Sequence, residues 1–388
     1  MFFILVHLRE VILHMNVIVV YMGEISHCPP AMSLVKAIDA LRLPCSFITY
    51  KDDCIESMND TLKNTKIIEL GDSNIEGNFL KKIINFIYYR EKLWNIIEKI
   101  ADSETVLWII SNGTLKYFDS RLFKKKYILH LLELNEELYY IESRHMLKMS
   151  RSYAHNAYRV VECEYNRAHI TKAWWGLKYL PSVLANKPYG IDYTNESLLI
   201  KLDSRIRNVL NKNRNKKIIL YQGNISKERP LAPFIQAVNE LGDEYVFIAM
   251  VNGEDPYKGN NTSKYFYIPF VSPPLHLEIT RCAYIGVLSY VPIRNSYSIL
   301  NTVYCAPNKI WEYTMFSVPM ISNDIPALKY HYEKYHDGEV VDLNSVCSIK
   351  NAIVKIDKNY KSYSENSRAF FQEYDYKKTV KNILDIDE

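Results

Sequence analysis

Short runs of consecutive apolar residues, each about one strand long, alternate along this chain with longer stretches in which apolar positions recur every three or four residues. In the first half the strand-like runs fall at 17–21, 46–49, 66–70, 106–110, 127–132 and 159–163, with amphipathic stretches at 30–42, 79–101 and 136–150. The second half repeats the plan, with runs at 217–221, 245–250, 265–269, 283–289, 318–322 and 339–342, and helical stretches including 232–241, 274–281 and 308–316. Strands apolar on both faces need cover on both faces, and parallel neighbours need a helix-length crossover between them. The pattern therefore predicts an α/β fold: two doubly wound, Rossmann-like sheets facing each other across a cleft. A connector, "LPSVLANKPYGIDYTN", separates the halves. The boundaries read as 15–185 for the first domain, 186–365 for the second, and 366–388 for a terminal helix able to cross back to the first. Residues 1–14, "MFFILVHLREVILH", are apolar but broken by Arg9 and Glu10, and they lack a basic start and a cleavage site. They read as an N-terminal extension and not as a signal peptide.

Composition agrees with two ordinary domains. A chain of 388 residues exceeds what one core usually fills, and 48% hydrophobic with 24% charged residues is globular. The net charge of +4 is too small to indicate a nucleic-acid partner, and no zinc-finger spacing occurs. Seven scattered cysteines without a CxxC pair suit free thiols in a reducing cytosol better than disulfides or zinc. No uninterrupted apolar run reaches the roughly 18 residues that span a bilayer. The expected location is the cytoplasm, with one addition: "KKIINFIYYREKLWNIIEKI", residues 81–100, mixes Lys and Arg with Ile, Phe, Tyr and Trp. Such a helix can lie on an anionic leaflet, at the inner face of the membrane, or pack in a core with its basic face outward.

Ligands of open parallel sheets bind outside the carboxyl ends of the strands. No GxGxxG follows the first strand of either half, so no dinucleotide cofactor is expected. The second half instead offers "KIILYQG" running into "NISKERPLAPFIQAV". Gly223 lets the backbone approach a ligand closely, and Arg229 at the next helix start presents a fork suited to phosphate. A tight turn followed by a solvated charged loop is the plain alternative. Further on, Pro307 suits the first position of a helix whose first turn also contains Lys309. A cation there opposes the helix dipole, so Lys309 wants an anion. Glu312, three residues on, shares its face and could be that partner.

Together, "ILYQGNISKERPLAPFIQA" and "APNKIWEYTMFSVPMISND" resemble the nucleotide-sugar-binding domain of GT-B glycosyltransferases, in particular the retaining family 4 type. The likeness extends more loosely to "ECEYNRA" and "LANKPY" in the first half. It implies that Gly223, Arg229 and Lys309 border the donor diphosphate, that Asn308 belongs to the donor site and that Glu312 accepts the ribose hydroxyls. Many relatives carry a second glutamate eight positions earlier, where this chain has Tyr304. Asn301 or nearby backbone amides would then serve the donor sugar. By the same likeness "YIPFVSPPLHLEI" lies beside the base, with Phe270 stacking and Val271 offering backbone hydrogen bonds, or either simply closing a strand.

The first half would hold the acceptor. After its first strand, Gly23, Glu24 and His27 stand at the cleft edge, His27 placed to position an acceptor hydroxyl or touch phosphate, or without a role. Glu164 and Arg167 follow a later strand, reaching the cleft or forming a salt bridge that closes a helix. The expected catalytic set is His27, Glu164, Arg229, Lys309 and Glu312. No Asp-x-Asp has a convincing cleft position, so neither metal nor cofactor is expected. The implied activity is transfer of a sugar from a nucleotide-sugar donor to a saccharide or lipid-linked saccharide acceptor, with retention, in cell-surface polysaccharide or glycolipid synthesis. A sugar-nucleotide 2-epimerase and a non-catalytic nucleotide-sugar-binding protein share the architecture and stay open.

Overall fold

The computed structural model describes residues 15–72, 78–134, 144–191, 200–255, 257–259, 262–293 and 299–386. Seven strands form the first sheet: β1 (Asn16–Tyr21), β2 (Cys45–Thr49), β3 (Thr65–Glu69), β4 (Thr105–Ile110), β5 (Lys126–His130), β6 (Arg159–Glu162) and β7 (Ser182–Val183). Their order is β3-β2-β1-β4-β5-β6-β7, parallel throughout. The second sheet holds β8 (Lys217–Gly223), β9 (Tyr245–Val251), β10 (Tyr265–Pro269), β11 (Ile285–Leu288), β12 (Met320–Asn323) and β13 (Gly338–Val341). It runs β10-β9-β8-β11-β12-β13, again parallel.

Both sheets are buried on both faces, which is why their strands read as unbroken apolar runs. Val17 and Val19 join one core cluster while Ile18 and Val20 join another on the opposite face. In the second sheet Ile218 and Leu220 separate in the same way from Ile219 and Tyr221. Each fully buried side chain of this size contributes roughly 1.5–3 kcal/mol, so a one-residue slip of either central strand would exchange two whole faces.

The chain crosses between the sheets twice. After the Tyr360–Glu373 helix, the Tyr376–Ile383 helix returns to the first sheet, where Tyr376, Val380 and Ile383 enter the cluster of Val17 and Ile38. Lys187 of the connector donates to the carbonyls of Phe371 and Tyr374 (2.6 Å to the latter), tying the two crossings side by side.

Several helices differ from the sequence pattern. The segment read as 136–150 is a helix over Arg144–Asn156, and 136–143, like 1–14, lies outside the described residues. Tyr165–Trp175 was illegible because its buried side carries Arg167 and Thr171 beside Ala168 and Trp175, which hides the apolar period. The Phe79–Ile100 helix divides along its length. Leu93, Trp94 and Ile97 are core, whereas Phe79, Leu80, Ile84 and Tyr88 are exposed. Among the described residues no helix is long and apolar enough to cross a membrane.

Candidate functional site

In the second sheet the strand order reverses between β8 and β11, and there the connections leave in opposite directions and open a crevice. Gly223 ends β8 with φ +125°, a conformation that L side chains rarely adopt, and a Cβ there would lie 3.1 Å from Cε and 3.2 Å from Nζ of Lys309. A second glycine seats the helix that carries this lysine. A Cβ on Gly286 of β11 would fall 2.4 Å from the ring of Tyr313, whose hydroxyl donates to the carbonyl of Leu220 at 2.9 Å. The Asn308–Met315 helix is thus fixed directly over the strand ends. Pro307 is its cap and not its first residue, with extended backbone at φ −72° and ψ 136°, so Asn308 opens the helix and Lys309 follows.

Lys309 is buried, and its ammonium has no hydrogen-bond partner among the described residues. It lies 4.4 Å from the Tyr221 ring centroid and 5.2 Å from that of Tyr290. Burial first, then the neighbouring Arg229 charge, push its pKa well below the usual lysine value, with Glu312 and Cys305 opposing. Arg229 belongs to the turn before the Ala232–Asn239 helix, its N–H donating to the Ser226 carbonyl at 2.9 Å, and not to the helix start as its sequence context suggested. Its guanidinium lies 5.3 Å from the Tyr290 centroid, and its Nε is buried without a partner among the described residues. Two desolvated cations, backed by electron-rich ring faces, converge beside a backbone with no side chain. That arrangement suits a polyanion approaching over Gly223.

Glu312 does not bond Lys309. Its Oε2 accepts from Gln222 Nε2 at 2.6 Å and its Oε1 from His276 Nε2 at 3.2 Å, and Gln222 Oε1 accepts from the Thr280 hydroxyl at 2.7 Å. Burial alone would raise the carboxyl's pKa, but the His276 and Gln222 bonds and the Lys309 charge outweigh it and hold Glu312 ionised below the usual range. Sequence reading missed Gln222, His276, Thr280, Tyr221 and Tyr290; nothing in their local pattern marks them, since they meet only when β8, β11 and two helices are assembled. Beside them, Val271 is buried and Phe270 is partly exposed.

Asn301 and Arg167 link the two sheets. Asn301, on the short Ile299–Val303 helix, accepts on Oδ1 from the Leu134 N–H at 3.0 Å and donates from Nδ2 to Glu133. Arg167, placed by sequence at the acceptor wall, is buried in the seam between the sheets. It donates to the carbonyls of Tyr304 (2.7 Å), Leu132 (2.9 Å) and Asn301 (2.9 Å). Both are cross-cleft ties, drawing the end of β5 to the segment before Lys309. Glu164 caps the Tyr165–Trp175 helix, accepting from the Arg167 N–H at 2.9 Å and from Asn166 Nδ2 at 2.7 Å, so it bonds the backbone of Arg167 and not its guanidinium.

On the first-sheet side, Gly23 follows β1, and a Cβ there would strike the Tyr21 ring at 2.7 Å. Glu24 and His27 pair at 3.1 Å, and the His27 ring meets Phe270 edge-on at 5.8 Å, so this loop touches the second sheet's loop across the cleft. All seven cysteines are free, and among the described residues no three His, Cys, Asp or Glu side chains gather to hold a metal ion.

No family model and no curated protein matches the sequence. Solved structures do. Anabaena Alr3699/HepE in complex with UDP and glucose superposes with a TM-score of 0.67 at 11% identity, over 96% of this chain and 99% of that one. Sucrose-phosphate synthase from Thermosynechococcus elongatus gives 0.63 at 14% over 96% and 98%. A glycosyltransferase from Rickettsia africae gives 0.63 at 12% over 96% and 99%. Two doubly wound parallel sheets, a returning C-terminal helix and a polar crevice at the second switch point, matched over nearly the whole length of these proteins, identify the fold of this chain as GT-B.

Proposed function

We propose that the protein is a glycosyltransferase that binds a nucleotide-sugar in the second sheet's crevice and transfers the sugar to an acceptor held against the first. The observation that carries this reading is the unpartnered buried ammonium of Lys309 over Gly223, with Arg229 beside it. Support comes from the similar structures, of which HepE holds UDP, glucose or UDP-glucose and an Escherichia coli trehalose-6-phosphate protein holds UDP-2-fluoro glucose. In the reaction an acceptor hydroxyl oxygen bonds to the anomeric carbon as the bond from that carbon to the β-phosphate oxygen breaks, and the acceptor proton passes to the departing diphosphate. Arg229 and Lys309 stabilise the negative charge that gathers there, with no role for a metal. Retention of configuration, by attack on the face that the diphosphate leaves, and a place in cell-surface polysaccharide or glycolipid synthesis rest on the sequence resemblance.

A lipid-linked acceptor suits the Phe79–Ile100 helix. Its exposed first turns put Phe79, Leu80 and Ile84 beside Lys81 and Lys82, a composition that binds anionic bilayers from the cytoplasmic face. The function is tested by a thermal-shift screen of nucleoside diphosphates and nucleotide-sugars, followed by assay of nucleoside diphosphate release with and without saccharide acceptor. Stabilisation by one nucleotide-sugar and acceptor-dependent release are expected. Release or isomerisation without an acceptor points to an epimerase, and no response to any nucleotide sinks the reading. Flotation with anionic liposomes tests the helix, and absence of binding removes peripheral attachment through it.

A further inference from the structure

Taking the donor-site reading as its basis, we infer that Arg167 is a positioning residue: from the first sheet's wall it holds the approach to the Asn308–Met315 helix, and so sets where the Lys309 ammonium stands for a diphosphate. That helix is fixed to its own sheet toward its far end, where the Tyr313 hydroxyl donates to the Leu220 carbonyl and the ring lies on Gly286. Its near end, which carries Lys309, is reached through residues 301–306, and these are gripped from across the cleft. Arg167 Nε donates to the Tyr304 carbonyl at 2.7 Å and Nη2 to the Asn301 carbonyl at 2.9 Å. Asn186 of the connector donates to the Ala306 carbonyl at 2.8 Å, and the Asn301 side chain accepts from the Leu134 N–H and donates to Glu133.

The chemistry of Arg167 suits this task. Its Nη1 donates to the Leu132 carbonyl at 2.9 Å and to the Cys163 sulfur at 3.3 Å, so one arm of the planar fork is anchored in its own half while Nε and Nη2 reach across. The carbonyls it takes lie at the end of the short Ile299–Val303 helix, where carbonyls lack intrahelical partners. From Tyr304 to Lys309 the chain has little freedom, since Cys305 is buried and the ring of Pro307 fixes φ at the helix cap. A displacement of the Tyr304 carbonyl therefore passes to Lys309. Arg167 is only 4% exposed, and a well-packed apolar side chain of similar volume would be at least as stable in such a place. An apolar side chain cannot hold the carbonyls of the opposite half in register.

The test is a double-mutant cycle, read by calorimetric titration of the full chain with inorganic pyrophosphate, which needs no knowledge of the base. Arg167→Met should weaken pyrophosphate at least about fivefold, within the range of coupling between residues of one network. In a Lys309→Met background the same substitution should change affinity by less than about twofold, because Arg167 acts through the ammonium that has been removed. A residue that merely stabilised the fold would cost the same in both backgrounds. Should Arg167→Met not fold, Asn186→Ala releases only the Ala306 carbonyl and should weaken pyrophosphate about two- to threefold with Lys309 present and not without it. Unchanged affinity in folded Arg167→Met, or equal losses with and without Lys309, overturns the inference while leaving the donor site standing. Wild type that does not bind pyrophosphate removes the donor-site reading and this inference with it.

Discussion

Arg167 and Lys309 are both buried cations at the cleft, one on each side, and they differ in what surrounds them. The Arg167 guanidinium donates to three backbone carbonyls, two of them, Tyr304 and Asn301, across the seam, whereas the Lys309 ammonium has no hydrogen-bond partner among the described residues and is flanked by ring faces, the Arg229 cation and, through space, the Glu312 carboxylate. Buried donors in folded proteins are nearly always paired, so the first cation is complete as it stands and the second is not. The same contrast separates the two walls. Glu164 is spent as a cap and Glu24 pairs with His27, while on the opposite wall Arg229 and Lys309 keep unpaired N–H groups. On the proposed reading the unpaired N–H groups of Arg229 and Lys309 await a ligand, whereas Glu164, Glu24 and His27 are already spent on the fold.

The largest expected effect breaks this contrast at Lys309. Lys309→Met should weaken nucleoside diphosphate binding by roughly 1.5 to 3 kcal/mol, the strength of hydrogen bonds to a charged group, with little change for the nucleoside. It should also raise the stability of the ligand-free protein by about 1 kcal/mol, because a buried amine with no hydrogen-bond partner among the described residues is replaced by an apolar side chain. Calorimetry and thermal melting read the two signs together. Lower stability with unchanged affinity would make Lys309 ordinary core and cancel the distinction between the walls.

Next comes Glu312→Gln, which keeps the shape and loses the charge. Turnover should drop at least about tenfold, the scale of a charge-assisted hydrogen bond, while excess EDTA leaves the wild-type rate intact. Normal turnover in the variant, or abolition by EDTA, would mean that the donor site lies elsewhere or that a metal serves it.

How much of this was legible in the sequence follows from where each signal resides. Strand runs were readable because both sheet faces are buried, and Gly223, Lys309 and Glu312 stand in short local stretches. The seam position of Arg167 was not legible because two of its partners are backbone carbonyls 134 and 137 positions away, which no local side-chain pattern marks. His276 meets Glu312 from 36 positions away, and Gln222 from 90, so neither could be chosen from its neighbours in the chain. Asn301 has the right chemistry for a sugar contact, yet that chemistry serves Glu133 and Leu134 equally well.

A third prediction uses buried titratable groups of the first sheet. Burial pushes Glu162 up to about 8, with the Thr171 bond and the Arg167 charge opposing, and pushes His130 down to about 3. Between pH 6.5 and 8 unfolded His130 is mostly neutral, unfolded Glu162 is ionised and folded Glu162 stays protonated, so folding takes up a proton and stability falls as pH rises. Below 6.5 the sign from His130 is opposite, since the unfolded histidine binds the proton that the folded one refuses. Glu162→Gln should therefore flatten the decline between pH 6.5 and 8, where the slope from one group cannot exceed about 1.4 kcal/mol per pH unit, and steepen the rise of stability with pH between about 4.5 and 6.5, where the Glu162 and His130 slopes otherwise oppose each other. Denaturant titrations across that range read it, and an unchanged slope would show the Glu162 carboxylate ionised in the fold.

The smallest effect sharpens the comparison on the wall where sequence reading placed a catalytic carboxylate. Glu164 bonds the Arg167 N–H as a helix cap, so Glu164→Ala should cost about 1 kcal/mol of stability, the usual penalty for losing a cap. Glu164→Asn keeps a capping oxygen but loses the charge, and should recover most of that stability. If capping is the whole role, the Asn variant also turns over at the wild-type rate with an unchanged acceptor KM. An Asn variant that melts normally but transfers sugar many times more slowly would place a working charge at Glu164, and the first wall would have to be counted as built for its ligand too.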